Sequence, residues 1–307
     1  MFPIIPAKSA AADSGNSEGI FLGGEAPVTG ETNLVSDTGV MASTVAAVGT
    51  ARVRCAGVEY GGDKGLFGFG YSGAPSHVQT SVSNKVSNTG VVASDIALVG
   101  TARSSLAGCS YGGDKGIFGY GHSGVYESLT NLASNTGVIA TDTTGVGTLR
   151  VALAACEYGE DKGMFGFGST GGPSGASNLI NKVSNTGVVA SDTAGVGTGR
   201  YYVAACSYGG DKGIFGFGTS GTGGEQSTTN LVSNAGVVAT DTAGVGSGRS
   251  SVGATQYGGD KGIFGFGYYN PPGYWSVTNL VSNTGVAASD TAGVGTAKQG
   301  AKACSFN

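Results

Sequence analysis

Side chains that commonly act as bases, nucleophiles or metal ligands are few and scattered in this chain. The 307 residues include two histidines, His77 and His122, in segments that differ from one repeat to the next. A single loop histidine is usually a surface polar group rather than a general base or a metal ligand. We therefore predict no catalytic residue, no metal site and no cofactor, which is typical of a non-enzymatic protein.

Acidic residues do recur, but a lysine follows each of them. The pairs are Asp63 and Lys64, Asp114 and Lys115, Asp161 and Lys162, Asp211 and Lys212, and Asp260 and Lys261. A ring of carboxylates could bind calcium, yet neighbouring ammonium groups oppose cation binding. The flanking glycines favour hairpin turns instead.

Two other motifs also have structural explanations. Residues 68–73 (GFGYSG) fit the dinucleotide pattern G-x-G-x-x-G, but no helix is predicted after them to hold a pyrophosphate. Four of the five cysteines follow a repeated Arg or Lys by six residues, at Cys109, Cys156, Cys206 and Cys304. Equivalent positions are held apart by the repeat, so we predict buried thiols rather than disulfides.

The elements that carry these residues belong to a repeat. The phrase YGGDKGIFGFG or a close variant begins at Tyr60, Tyr111, Tyr158, Tyr208 and Tyr257. A period near fifty predicts a propeller, a solenoid or an array, and each unit contains four short extended segments. Alternation predicts that Phe215 and Phe217 face one side and that phenylalanines of one unit pack over glycines of the next.

The chain ends supply the two parts of one unit. The first unit lacks its first strand, and residues 298–306 provide one. We therefore predict an all-β fold, a six-bladed β-propeller with four strands per blade, spanning residues 19–307. Its last blade combines residues 19–48 with residues 298–306, and residues 1–18 form an N-terminal arm.

The unit resembles kelch repeats: an Arg opens the first strand, a hairpin follows, and an aromatic second strand ends in glycine. It lacks the usual outer-strand Trp and the double glycine after the second strand. The wording GTAR, YGGDKGIFGFG and TNLVSNTGVVASDTAGVG is also similar to repeats in structural proteins of marine and cyanobacterial bacteriophages. That resemblance implies a tail- or fibre-associated virion protein, assembled in the host cytoplasm.

A repeated charge pair predicts a clasp between blades. Each Asp is followed eight residues later by a base: Asp95 by Arg103, Asp142 by Arg150, Asp192 by Arg200, Asp241 by Arg249 and Asp290 by Lys298. In the split blade Thr44 replaces the Asp. Exposed pairs contribute about 1 kcal/mol or less each, so we expect these pairs to set register more than stability.

The candidate ligand-binding residues lie in loops that vary between units. If strands alternate in direction, these loops share one face of the disk, opposite the repeated turns. The richest loop contains Tyr268, Tyr269, Tyr274 and Trp275, with Tyr71 and His77 one blade further. Such rings suit a glycan face or a protein partner on a host surface. They could equally cover the closure seam.

The start of the chain differs from the repeats. Met1, Phe2, Pro3, Ile4, Ile5 and Pro6 form an apolar, proline-stiffened segment. Residues 1–18 are predicted to attach the propeller to other virion proteins, although a loosely packed terminus fits the same sequence. The net charge of −4 and the absence of a basic stripe argue against nucleic acid, and no apolar run is long enough for membrane insertion.

Two alternative functions stay open. A propeller-fold enzyme acting on glycans would need converging carboxylates, and the variable loops offer Glu25, Glu31, Glu127 and Glu225. A soluble kelch-like adaptor would bind a cellular protein instead.

Overall fold

A computed structural model describes residues 17–25, 28–73, 78–171, 175–222, 224–270 and 273–306. Throughout these ranges the regular structure is β, as the glycine-interrupted alternating sequence predicts. The same ranges contain no helix that is long and apolar enough to cross a membrane.

Most strands are short, with two to eight residues. They are β1 (Glu18–Gly24), β2 (Thr29–Val35), β3 (Ala56–Tyr60), β4 (Lys64–Gly68), β5 (Val82–Val86), β6 (Ile96–Ala97), β7 (Ala107–Tyr111), β8 (Lys115–His122), β9 (Tyr126–Ala133), β10 (Ala154–Tyr158), β11 (Lys162–Gly166), β12 (Ile180–Val183), β13 (Arg200–Tyr201), β14 (Ala204–Tyr208), β15 (Lys212–Gly216), β16 (Thr219–Ser220), β17 (Thr229–Val232), β18 (Gly253–Tyr257), β19 (Lys261–Gly265), β20 (Tyr268–Tyr269), β21 (Gly273–Tyr274), β22 (Thr278–Val281) and β23 (Lys302–Phe306).

These strands form six antiparallel sheets and two short ribbons. The sheets, each written from its first strand, are sheet 1 (β3-β4-β5-β6), sheet 2 (β7-β8-β9), sheet 3 (β10-β11-β12), sheet 4 (β14-β15-β17), sheet 5 (β18-β19-β22) and sheet 6 (β23-β1-β2). The ribbons pair β13 with β16 and β20 with β21. In sheet 1, Tyr60 pairs with Lys64 across a turn in which Gly61 and Gly62 have φ of 65° and 81°. The predicted hairpin turn is therefore confirmed there, in a conformation that favours glycine.

Sheet 6 joins the two ends of the described chain. β23 pairs with β1, with Cys304 opposite Ile20, which confirms the predicted pairing of the C-terminal strand. The predicted arm, residues 1–18, extends too far. Glu18 already belongs to β1, and the carbonyl of Ser17 accepts a hydrogen bond from the Gly258 amide (2.8 Å). Met1 to Pro6 lie outside the described residues.

The fourth segment of each unit is weaker than predicted. Within the described ranges, a fourth strand is present in sheet 1 alone. It is β6, which pairs with β5 and places Ile96 opposite Ser83. Elsewhere the equivalent segment makes isolated bridges, such as that between Thr130 and Thr143. Its residues are small and mostly exposed, so little apolar surface is buried to hold it against the sheet.

The first strands of the six sheets lie side by side. β3 contacts β7, β7 contacts β10, β10 contacts β14, β14 contacts β18, β18 contacts β23, and β23 contacts β3. A cavity of about 50 Å³ is lined by residues from all six, including Glu59, Glu157 and Gln256. The five cysteines are buried and free, as predicted.

Glycine of one sheet accommodates phenylalanine of the next. A Cβ atom added at Gly119 would lie 2.7 Å from the Phe165 ring, and one added at Gly68 would lie 3.2 Å from Phe118. The predicted packing of phenylalanine over glycine is confirmed. This contact explains why the second strand keeps a residue type that otherwise weakens strands.

The predicted alternation within the second strand is wrong at its end. Phe215 packs against Phe167 of sheet 3, whereas Phe217 packs against Phe264 of sheet 5. Phe217 adopts φ of 64° just after β15, which turns its side chain to the other neighbour. The bend allows the Gly218 amide to donate to the carbonyl of Arg249 in the following unit (2.8 Å).

A buried cation lies at the start of each unit's first strand. Arg103 is fully buried, with its guanidinium carbon 4.7 Å from the ring centroid of Phe69 in the preceding sheet. Within its own unit it donates to Asn131 (2.6 Å) and Asp142 (3.2 Å). Equivalent ring contacts place Arg150 over Tyr120, Arg200 over Phe167, Arg249 over Phe217 and Lys298 over Phe266.

The aspartates therefore pair differently from the prediction. Asp95, Asp142 and Asp290 lie beside Arg52, Arg103 and Arg249, at 3.7, 3.2 and 3.1 Å. Burial raises the pKa of Asp192 and Asp241, but hydrogen bonds from threonine and asparagine side chains outweigh it, and Arg150 and Arg200 lower the two pKa values further. Each arginine thus interacts with the Asp about forty residues later in its own unit, not with the one eight residues earlier, because it extends along its own sheet toward the third strand. The bases are also buried rather than exposed.

Burial lowers the pKa of Arg103, Arg200, Arg249 and Lys298. The pKa of Arg200 falls to about 10, with Asp241 opposing the shift. Lys298 is the one lysine at this position; it donates to Asn33 (2.8 Å), and Thr44 replaces the carboxylate. Burial lowers the pKa of Lys298 to about 8, although Glu31 raises it somewhat.

We predict that Gly119→Ala destabilises the fold more than Gly68→Ala does. The added methyl group at Gly119 approaches the Phe165 ring more closely, and overpacking of this kind costs about 1–3 kcal/mol. Urea unfolding of both variants measures the difference. Gly221→Ala is the control, because only the Ala176 methyl lies within contact distance of the added Cβ, at 3.3 Å. Equal losses in all three variants would contradict the packing argument.

We predict a pH-dependent difference between the wild type and Lys298→Arg. The folded pKa of Lys298 is about 8 and its ordinary value is 10.5, so between these values the unfolded state binds more protons. The unfolding free energy of the wild type should therefore rise with pH through the lower part of this window relative to the variant, whose arginine keeps its proton to a higher pH than the lysine does. Thermal unfolding of both proteins from pH 7 to pH 10 tests this, because the titrations of buried cysteines cancel in the comparison. Parallel curves would contradict it.

Candidate functional site

The divergent residues lie at one end of the six sheets. A residue at or up to three positions beyond the end of each second strand pairs with the residue that follows the buried cation: Glu25 with Gln299, Tyr71 with Val53, His122 with Ser104, Ser169 with Val151, Thr219 with Tyr201 and Tyr268 with Ser250. We call this the variable end. The turns that follow the first strands lie at the opposite end, which we call the turn end, because the strands are antiparallel.

The aromatic loop forms a hairpin at the variable end. β20 pairs with β21, the Tyr268 and Tyr274 rings lie 5.8 Å apart, and the Tyr269 and Trp275 rings lie 5.9 Å apart. The structure thus brings together four of the predicted ligand-binding residues. Tyr269 and Tyr274 are exposed, so two rings remain accessible.

The same hairpin is bonded to Lys298, in the segment that leads into β23 of sheet 6. The Trp275 amide donates to the Gly267 carbonyl (2.9 Å), and the Lys298 amide donates to the Trp275 carbonyl (3.4 Å). Trp275 is half-buried. Covering the segment before β23 and binding a ligand are therefore compatible roles for this loop. Trp275 contacts that segment, while Tyr269 and Tyr274 are exposed.

Of the other two predicted residues, the structure describes Tyr71 only. Tyr71 packs beside Arg54, whose guanidinium carbon lies 6.0 Å from the ring centroid. His77 lies outside the described residues, as do Pro271 and Pro272.

A second cluster at the variable end was missed by the sequence argument. Arg54 donates from Nε to Glu25 (2.7 Å), and its guanidinium carbon lies 6.0 Å from the Tyr202 ring centroid. Gln299 donates to the second oxygen of Glu25 (2.7 Å). Although burial lowers the pKa of Arg54, Glu25 outweighs this and raises it. The available signal was that a charged residue breaks the repeat here.

Two other polar residues of the variable segments, His122 and Glu127, have local partners. His122 Nδ1 is 3.3 Å from Gln79 Nε2, and its ring contacts Tyr126. Glu127 accepts a hydrogen bond from Ser123 (2.5 Å). Across the described ranges, no group of three His, Cys, Asp or Glu residues could hold a metal ion.

The comparisons with known proteins give no relative. No protein-family model matches the chain, and no curated protein matches it either. The candidate site is therefore defined by the internal repeat and by the geometry of the variable end.

We predict that Tyr269→Ala changes the environment of Trp275, the single tryptophan of the chain. Loss of the ring contact should shift tryptophan emission to longer wavelength and increase quenching by acrylamide. Stability should fall by about 1 kcal/mol, the usual contribution of an aromatic pair. Tyr126→Ala, which removes a ring beside His122, is the control and should leave the emission unchanged. Unchanged emission in Tyr269→Ala would contradict the hairpin geometry.

Proposed function

We propose that the six sheets are the blades of a closed six-bladed β-propeller with sheet 6 as the split blade. Three observations support this arrangement. Each first strand contacts two others, β23 included. One cavity is lined by all six first strands. The buried cation of one unit packs over an aromatic ring of the preceding sheet. A repeated contact of that kind rotates each sheet similarly against its neighbour and favours a ring.

On this scaffold, the protein functions as a non-enzymatic binding module that uses its variable end. The observation that carries the proposal is the exposed pair Tyr269 and Tyr274 on a hairpin that backbone hydrogen bonds fix to the scaffold. Rings held in place lose little conformational entropy when they contact a partner. Tyrosine and tryptophan suit sugar faces and protein surfaces, since each combines an apolar ring with a polar edge.

The similarity of the repeats to bacteriophage structural proteins supports a place on a virion. Ser17 contacts Gly258, in a turn at the turn end, so the preceding residues start from the end opposite the hairpin. Residues 1–16 attach the module to other virion proteins there, and the variable end faces a host glycan or protein. This separation lets attachment and recognition occur together.

Two variants of the encoding phage test the two roles. Deletion of residues 2–16 spares Ser17 and the whole of sheet 6, so it should leave a folded protein that is missing from purified particles. Tyr269→Ala with Tyr274→Ala should be incorporated normally but lower adsorption to host cells by about tenfold or more, as expected for hot-spot aromatics. Mass spectrometry of particles and an adsorption assay measure these outcomes.

Val138→Ala with Val188→Ala is the matched control, because both valines are exposed apolar residues beside the turns after the third strands. This control should change neither incorporation nor adsorption. Normal incorporation of the deletion variant would refute the attachment role. Normal adsorption of the tyrosine variant would refute recognition by the hairpin, and absence of the wild-type protein from particles would refute the virion assignment.

A further inference from the structure

Three charged residues depart from the repeat, and the repeat itself shows that the fold does not need them. The first residue of the first strand is Ala or Gly in five sheets and Lys302 in the sixth; the others are Ala56, Ala107, Ala154, Ala204 and Gly253. The residue two before it is Arg54 in sheet 1 and Ser105, Ala152, Tyr202, Ser251 and Gly300 elsewhere. Glu25 occupies a position that is uncharged in Tyr71, Ser169, Thr219 and Tyr268.

These three residues meet around one cavity at the variable end. The cavity has a volume of about 20 Å³, and its lining includes Glu25, Arg54, Lys302, Tyr202, Ser105 and Ser251. Its rim is rigid, because the Ser105 amide donates to the Arg54 carbonyl (2.8 Å) and the next units repeat this bond in succession. A preorganised rim holds the side chains in place before any ligand arrives.

The charges in the cavity are not balanced. Glu25 is already bonded to both Arg54 and Gln299. Lys302 has no hydrogen-bond or ion-pair partner within the part of the chain that the structure describes, and the Nη groups of Arg54 donate to no acceptor there. Burial lowers the pKa of Lys302, and Arg54 adds to this, although Cys55 opposes it. Lys302 is half-buried, so its protonated form has lost part of its hydration, and an anion would compensate that loss.

We propose that this cavity binds the carboxylate group of a small acidic ligand, held by Lys302 and Arg54. With Lys302 protonated, two cations and one carboxylate leave a single positive charge, which suits a monoanion better than a phosphate. The planar Arg54 guanidinium matches a carboxylate. Ser105 and Ser251 add hydroxyl donors at the rim.

The size of the cavity decides which part of the ligand enters. A volume of about 20 Å³ accepts about one water-sized group, so the remainder of the ligand lies outside, beside the Tyr202 ring. This site is independent of the aromatic hairpin, because none of its lining residues belongs to β20 or β21.

Thermal unfolding in the presence of sodium glucuronate and sodium acetate tests the proposal. Sodium chloride at equal ionic strength and neutral glucose serve as reference solutes. Both carboxylates should stabilise the wild type in a concentration-dependent manner, as ligands of the native state do. Lys302→Ala should fold, because alanine is the repeat's own residue here, and its affinity for both carboxylates should be at least about tenfold lower.

Arg54→Ser, which again introduces a residue of the repeat, should also weaken binding and provides a second variant. Lys182→Leu is the matched control. It removes the same charge, replaces a half-buried lysine outside the cavity by the leucine found at Leu132 and Leu231, and should leave the affinity unchanged. Stabilisation of the wild type by chloride or glucose equal to that by the carboxylates would overturn the proposal. Full carboxylate binding by Lys302→Ala would overturn it as well.

Discussion

The buried cation between neighbouring sheets is the interaction on which the rest of the structure depends. A fully buried guanidinium loses its hydration, and an aromatic face, hydrogen-bond acceptors and a carboxylate each compensate part of that loss. Arg103 obtains the ring from Phe69 of the preceding sheet and the acceptors Asn131 and Asp142 from its own unit. One side chain therefore ties the packing between sheets to the hydrogen bonding within a sheet. This requirement explains why Arg, Asn, Asp and an aromatic residue recur together.

The same requirement shows why sheet 6 is exceptional. Its buried cation is Lys298, and Thr44 takes the place of the aspartate. Gly23 stands where the other second strands place an aromatic ring, so Arg52 has no ring above it and its Nε and Nη2 atoms lack partners in the described structure. The buried cations beside sheet 6 thus have fewer partners than those elsewhere, and residues that differ from the repeat occur near them. The aromatic hairpin and the charged cavity both lie beside sheet 6.

The sequence predicted the features that every repeat shares. It missed the backbone turn at Phe217 and the contacts between residues that occur once. Six copies of each segment, with one copy divided between the chain ends, were enough to pair β23 with β1. Phenylalanine over glycine followed from strand periodicity. The turn of Phe217 into a left-handed conformation did not, because only the bond from Gly218 to the next unit imposes it. The cluster around Arg54 was missed for a related reason: its members are almost 280 residues apart at the extremes, and a search for recurrent residues passes over single exceptions.

Because β1 pairs on one side with β23, the first strand of its sheet, sheet 6 cannot form until residues 302–306 have left the ribosome. Until then Ile20 and Phe21, which are fully buried in the folded protein, lack the strand that covers one side of them. Sheets 1 to 5 can form in order of synthesis, each against its predecessor. The nascent protein thus carries an open, adhesive edge for most of its translation. Residues 302–306 cover that edge when they pair with β1.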